Sequence, residues 1–168
     1  EYYRHFENDG PAWQYAQRMR LAEKFREECN FYDIEKFRVG QATRIPRPTL
    51  DASCFRRNPS TSKVVLIWGD SHAQQLNSGL ASNLPSEWQV LQVASSGCVA
   101  KTNAAGPSDV DFCTHSNWFA MTTIKEAKPD VVVVAQKTGH DVMRFANVAV
   151  ELKALGVKKV IYVGPTPR

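Results

Sequence analysis

From residue 63 onward, short runs of apolar residues alternate with segments in which apolar residues recur at helical spacing. The apolar runs predict four strands, at residues 64–68, 88–94, 131–135 and 159–163. The segments of helical periodicity predict three helices, at residues 71–84, 115–127 and 141–155. Uniformly apolar strands that alternate with amphipathic helices are typical of a parallel sheet covered on both faces. The pattern therefore predicts an α/β fold of three layers, helix, sheet and helix.

The first 62 residues have a different pattern. Pro11 is expected to open a helix that runs to about Glu28, because proline is tolerated in the first helical turn. Residues 39–62 contain three prolines and several serines and threonines, which predicts an irregular linker. We therefore expect two parts: an N-terminal helix and disulfide-tied linker at 1–62, and an α/β domain at 63–168.

Length and charge exclude some classes of protein. A chain of 168 residues suits one domain with a sizeable core, and its net charge of +4 is too small to indicate a nucleic-acid partner. No apolar run approaches the ~20 residues that a membrane-spanning helix needs. Several basic residues cluster before or at the first strand: Arg38, Arg44, Arg47, Arg56, Arg57 and Lys63. This cluster is either a solvated surface or a face toward an anionic polysaccharide or membrane.

The four cysteines are Cys29, Cys54, Cys98 and Cys113. None forms a Cys-x-x-Cys pair, so we predict no zinc site and no other metal. An even number in loop-like segments fits two disulfides and an oxidising compartment, whereas four reduced thiols in a cytosolic protein are the alternative. Of the three possible pairings we favour Cys98–Cys113, which brackets one loop, and Cys29–Cys54, which ties the N-terminal helix to the segment before the first strand.

The candidate chemistry lies where the first strand leads into Gly69-Asp70-Ser71-His72. This turn predicts a Ser71 hydroxyl at the carboxyl edge of the sheet and at a helix N-terminus, where backbone N–H groups favour negative charge. Nucleophilic serines are commonly held in such turns, although Asp70 or Ser71 could simply cap the helix. Neighbouring helical residues point apart, so we expect His72 to be structural rather than the base for Ser71.

The order of these elements resembles the SGNH hydrolases, the Gly-Asp-Ser esterase superfamily with a flavodoxin-like fold. Gly-Asp-Ser-His-Ala with flanking cysteines is similar, more narrowly, to the extracytoplasmic SGNH domain fused to membrane acyltransferases of the acyltransferase-3 type. The resemblance implies that Ser71 is the nucleophile, and we expect Asp70 and His72 to be structural near the site. It also implies that the N–H groups of Ser71 and Gly97 bind an oxyanion, whereas on the residues alone Gly97 could be a plain turn glycine.

The third block of the family reads Gly-x-Asn-Asp, whereas this chain has Gln136-Lys137-Thr138-Gly139-His140-Asp141. With one inserted residue, His140 stands where the oxyanion-binding asparagine is expected; without it, Gly139 does. Gln136 could also donate to an oxyanion, and His140 could instead be a loop residue before a helix cap. The family's catalytic Asp-x-x-His block does not occur in the 168 residues, and we expect the chain to be truncated before it.

The function that the resemblance implies is transfer of an acyl group, in the first instance acetyl, to hydroxyls of a cell-surface polysaccharide. The acyl donor would reach Ser71 through a membrane acyltransferase domain of the same polypeptide, without a cofactor, in a periplasmic domain tethered to the inner membrane. Two alternatives are a carbohydrate O-acetyl esterase with the same nucleophile and a non-catalytic glycan-binding module. An α/β-hydrolase fits less well, because its nucleophile follows several strands rather than the first.

Overall fold

The computed structural model describes residues 25–164, so most of the predicted helix at residues 11–28 lies outside the described residues. The described part begins with a 3-10 turn at Glu27–Cys29, followed by two short helices, α1 (Ile34–Arg38) and α2 (Ala52–Phe55). Neither helix was predicted, and α2 lies inside the segment expected to be irregular. Each begins after an aspartate, Asp33 or Asp51, whose carboxylate accepts a backbone N–H of the first turn.

The remaining elements alternate as expected. They are β1 (Lys63–Gly69), α3 (Ser71–Gln74), α4 (Leu76–Asn83), β2 (Trp88–Ala94), α5 (Phe112–Ala127), β3 (Val131–Ala135), α6 (Val142–Ala154) and β4 (Lys159–Val163). The predicted bounds of β2, β3 and β4 are confirmed. The helix predicted at residues 71–84 is interrupted at Gln75. The helix predicted from residue 115 begins at Phe112, because the Asp111 carboxylate accepts the N–H of Cys113 and caps it there.

The four strands form one parallel sheet in the order β2-β1-β3-β4. One face packs Trp68 of β1 into a core shared with Ile124 of α5 and Leu152 of α6. The opposite face packs Ile67 against residues of α3 and α4, including Ala73. Helices therefore cover both faces, and the predicted three-layer α/β fold is confirmed.

The segment before β1 is packed onto this sheet. Phe31 and Leu50 are buried in the same core as the strands, together with both cysteines of the Cys29–Cys54 disulfide. The second predicted disulfide, Cys98–Cys113, is also present. The domain boundary at residue 62 stays a prediction.

Within residues 25–164, no helix has the length and apolar character needed to cross a membrane.

Candidate active site

The turn after β1 is built on a glycine that no other residue could replace without strain. Gly69 has φ +143°, and a Cβ added there would lie 1.9 Å from the carbonyl oxygen of Ala135. The next residue, Asp70, donates its N–H to that same carbonyl oxygen over 3.3 Å. The glycine thus allows β3 to approach the turn closely enough for the hydrogen bond between Asp70 and Ala135 to form.

Asp70 fixes the turn from inside the protein. Its side chain is buried; Oδ1 accepts the N–H of His72 at 2.8 Å and Oδ2 accepts the N–H of Lys137 at 2.7 Å. The Nδ1 of His72 lies 3.4 Å from the same carboxylate without a hydrogen bond among the described residues. These contacts connect the Ser71 turn to the loop after β3, which fits structural roles for Asp70 and His72.

Ser71 is the first residue of α3 and is partly exposed. Within residues 25–164, neither its hydroxyl nor its backbone N–H has a hydrogen-bond partner. A free N–H is normal in the first turn of a helix, where no preceding carbonyl is available as an acceptor. The hydroxyl and the N–H are therefore both available to a ligand at the carboxyl end of the central strand.

Gly97 lies at the same edge of the sheet. The register pairs Gly69 with Ala94, and the N–H of Ser95 donates to the carbonyl oxygen of Gly69 at 2.9 Å. Gly97 is exposed, has φ +74°, and its N–H also has no acceptor among the described residues. The loops after two neighbouring strands thus each present an unpaired N–H at this edge.

The loop that carries Gly97 is held from below by the segment before β1. Ser95 is fully buried; its hydroxyl accepts the N–H of Phe31 at 3.0 Å and donates to Ser116. The side chain of Asn30 accepts the N–H of Ser96 and donates to its hydroxyl. Neither Asn30 nor Phe31 could be predicted as a support of this loop, because neither lies in a motif or on a periodic face.

Gln136 links the loops after β2 and β3. Its Oε1 accepts the N–H of Ala100 at 3.1 Å, and its Nε2 donates to the carbonyl oxygens of Thr138 and Gly139. Both amide hydrogens are therefore in use. In this arrangement Gln136 shapes the edge of the site and has no hydrogen to donate to an oxyanion.

His140 is also turned away from open solvent. Its ring packs edge-on against Phe145, with 5.9 Å between centroids, and both ring nitrogens are buried without a hydrogen-bond partner among residues 25–164. The following Asp141 caps α6 by accepting the N–H of Arg144. An oxyanion-binding role for His140 stays a prediction, and it would require the ring to turn.

A third histidine, His115, has a structural environment. The Nδ1 of His115 lies 2.8 Å from the carbonyl oxygen of Ser108, and its ring packs against Phe31 and Trp118. It is therefore engaged in holding α5 against the preceding loop.

The profile of SGNH domains fused to AT3 domains matches residues 18–168. The chain belongs to this family. No curated protein matches this SGNH domain. Among solved structures it is similar to the lipopolysaccharide acetyltransferase periplasmic domain of Salmonella ser. Paratyphi A. The TM-score is 0.63 at 16% identity, over 96% of this chain and 60% of that one.

That likeness establishes the fold, and the SGNH domain spans about 60% of the neighbour's length. The expected family membership is confirmed by the profile, which starts well before residue 63 and includes the segment that packs under the Gly97 loop. Acyl transfer is supported at the level of the family. The roles of individual residues in this chain remain proposals.

Proposed function

We propose that the SGNH domain transfers an acyl group, in the first instance acetyl, to hydroxyls of a cell-surface polysaccharide through an acyl-enzyme on Ser71. The observation that carries the proposal is the partly exposed Ser71 at one sheet edge, where the N–H groups of Ser71 and Gly97 have no acceptor within residues 25–164. Fusion to AT3 domains in the family supports a membrane acyltransferase domain as the source of the acyl group. The similar periplasmic domain belongs to a lipopolysaccharide acetyltransferase, which supports a glycan acceptor.

The reaction has two steps. The Ser71 oxygen attacks the acyl carbonyl carbon, the leaving group departs with a proton, and an ester forms on Ser71. A sugar hydroxyl then attacks that ester, and the Ser71 oxygen takes back a proton as the acylated sugar leaves. In both steps the N–H groups of Ser71 and Gly97 would stabilise the negative oxygen of the tetrahedral intermediate.

Each step needs a base, because a serine hydroxyl is a weak nucleophile near neutral pH. The resemblance assigns this role to a histidine oriented by an aspartate in an Asp-x-x-His block, and no such block occurs in the 168 residues. The residues of this chain supply the nucleophile and the oxyanion donors.

The proposed location is extracytoplasmic. Two disulfides are present in the described residues, and disulfides persist in oxidising compartments such as the periplasm. In the proposed full-length protein the domain is tethered to the inner membrane by the acyltransferase domain.

A fluorophosphonate probe tests the assignment of the nucleophile. The proposed full-length protein is expected to carry the probe on Ser71 alone. The Ser71→Ala variant is expected to lose all labelling while its circular dichroism spectrum stays unchanged. Ser78→Ala is the matched control, since Ser78 is a partly exposed serine on the neighbouring helix α4. Labelling that survives in Ser71→Ala, or a wild type that is never labelled, would refute the acyl-enzyme, and the second outcome would favour a glycan-binding module.

A further inference from the structure

A cleft of about 540 Å³ opens beside Gly97. Its walls come from the loop after β2, the first turns of α5, the start of α6 and the segment before α2. The residues that matter for its chemistry are Arg44, Gly97, Lys101, Asp111, Thr114 and Arg144. We call it the Gly97 cleft.

The Gly97 cleft has three cationic side chains and one carboxylate. Arg44 donates to Asp111 over 2.9 Å. Burial acts to raise the pKa of Asp111, but hydrogen bonds from Thr114 and the Cys113 N–H, together with Arg44, outweigh it and lower that pKa. Asp111 therefore stays ionised at neutral pH and balances the charge of Arg44.

Lys101 and Arg144 are not balanced in this way. Neither has an ion-pair partner within residues 25–164, and both line the cleft. An ammonium and a guanidinium that share a cleft, without a carboxylate partner in the described part of the chain, are an attractive site for an anion. The cleft therefore carries an excess of positive charge.

The position of Arg144 connects this charge to the proposed acyl site. Its Nη1 lies 3.1 Å from the point where a Cβ on Gly139 would stand, and Val99 lies 3.4 Å from the same point. The guanidinium is thus placed over the loop after β3 and close to the loop after β2. These two loops flank Ser71.

The lining also indicates how a sugar would be recognised. Among the described lining residues there is no aromatic ring on which a neutral sugar could stack. The cleft offers cations, small polar side chains and a few small apolar ones instead. Charge, rather than stacking, is the property by which it can select a ligand.

We propose that the Gly97 cleft binds a carboxylate or phosphate group of the acceptor, so that the polysaccharide acylated by this domain is an acidic one. The inference rests on the proposed function and adds the class of acceptor to it. An anionic group held by Lys101 and Arg144 would fix the glycan beside Gly97, and this would bring a hydroxyl of the same or a neighbouring sugar toward Ser71.

Calorimetric titration of the 168-residue chain tests the proposal with three probes: trigalacturonate, its methyl ester and inorganic phosphate. Methyl esterification removes the charge and keeps the sugar skeleton. We expect trigalacturonate to bind at least tenfold more tightly than the ester, and this preference to shrink as salt screens the charges. Competition by phosphate shows whether the cleft accepts a phosphoryl group as well as a carboxylate.

Three variants assign the binding to the cleft. Lys101→Gln and Arg144→Gln are each expected to weaken trigalacturonate binding about fivefold, the upper range for an exposed ion pair. Asp111→Asn is expected to tighten it about threefold, because the anion is lost while asparagine still caps α5. Lys153→Gln is the matched control, since Lys153 is an exposed cation at the far end of α6 and should change nothing.

Equal binding of trigalacturonate and its methyl ester, unchanged binding in both cation variants, or no binding of any probe would overturn the proposal. Binding of phosphate alone, weakened in both variants, would retain the anion site and identify the group as phosphoryl.

The same titration on Ser71→Ala separates this inference from the proposed function, because that variant keeps the cleft. A wild type that labels on Ser71 but binds no anion refutes the cleft alone, and one that binds anions but never labels refutes the acyl-enzyme.

Discussion

Replacing Gly69 by alanine tests whether β3 and the Ser71 turn meet too closely for any side chain. The added Cβ would lie 1.9 Å from the carbonyl oxygen of Ala135, whereas such contacts essentially never fall below 3.0 Å. That oxygen belongs to the backbone of an inner strand and accepts the N–H of Asp70, so it cannot simply move aside. The φ of +143° adds strain that glycine alone avoids.

The size of the effect follows from these two costs. Overpacking a well-packed site costs about 1–3 kcal/mol, and a strained backbone conformation costs a further 1–3 kcal/mol, roughly. Together they lower the free energy of unfolding by about 2–6 kcal/mol, against a total of about 5–15 kcal/mol for a domain. With a urea m-value of about 2 kcal/mol/M, a loss of ~3 kcal/mol lowers the unfolding midpoint by ~1.5 M.

Urea unfolding followed by circular dichroism measures this shift. Gly79→Ala is the control, since Gly79 lies in α4 and an added Cβ meets nothing within 4 Å. That variant should gain about 0.5–1 kcal/mol, because alanine favours a helix more than glycine does. A Gly69→Ala midpoint equal to that of the wild type, or an equal loss in Gly79→Ala, would refute the reasoning.

Two further predictions concern stability. Replacing both cysteines of Cys29–Cys54, which are 25 residues apart, should lower the free energy of unfolding by about 3.5 kcal/mol, because the bridge restricts the unfolded chain. Replacing both cysteines of Cys98–Cys113, which are 15 residues apart, should lower it by about 3 kcal/mol for the same reason. Unchanged urea midpoints would contradict this. Asp130 accepts the Val64 N–H and the Lys158 ammonium, and although burial opposes them these bonds lower its pKa. Because the folded-state pKa of Asp130 lies below the unfolded value of about 3.9, the ionised carboxylate stabilises the folded protein at pH values above about 3.9. This contribution is lost as the pH falls through the folded-state pKa. Asp130→Asn should therefore show a shallower loss of stability in acid, and a decline as steep as that of the wild type would count against the assignment.

The sequence was sufficient to predict the strands because their signal is strong and local. Residues 131–135 are uniformly apolar and follow Pro129-Asp130, so both ends of β3 could be predicted. The short helices α1 and α2 were missed because four or five residues are too few to show helical periodicity. The start of α5 was missed for a related reason, since it depends on one capping bond from Asp111 rather than on the apolar pattern.

Within the candidate site, the sequence predicted the turn but not its supports. A strand followed by Gly-Asp-Ser is a local signal, so the placement of Ser71 at a strand-to-helix turn could be predicted. The contacts of Asn30 and Gln136 join segments that are more than thirty residues apart, and no spacing in the sequence marks them. From the sequence, the basic cluster before β1 had two interpretations, a solvated surface or a face toward an anionic polysaccharide or membrane. Its member Arg44 lines the Gly97 cleft but is paired with Asp111, so its position does not decide between the two interpretations.

The strand order explains why the proposed chemistry depends on backbone rather than side-chain donors. β1 lies between β2 and β3, so the loops after both neighbours flank Ser71, and Asp70 and Gln136 connect them. In the third loop the Gln136 amide is fully used and the His140 nitrogens are buried, so neither side chain offers a donor in this arrangement. The N–H groups of Ser71 and Gly97 have no acceptor within residues 25–164. Removal of one oxyanion donor typically costs ~10²–10³ in rate. On the proposed mechanism, both steps therefore depend on these two N–H groups, and losing either of them would slow the reaction by about that factor.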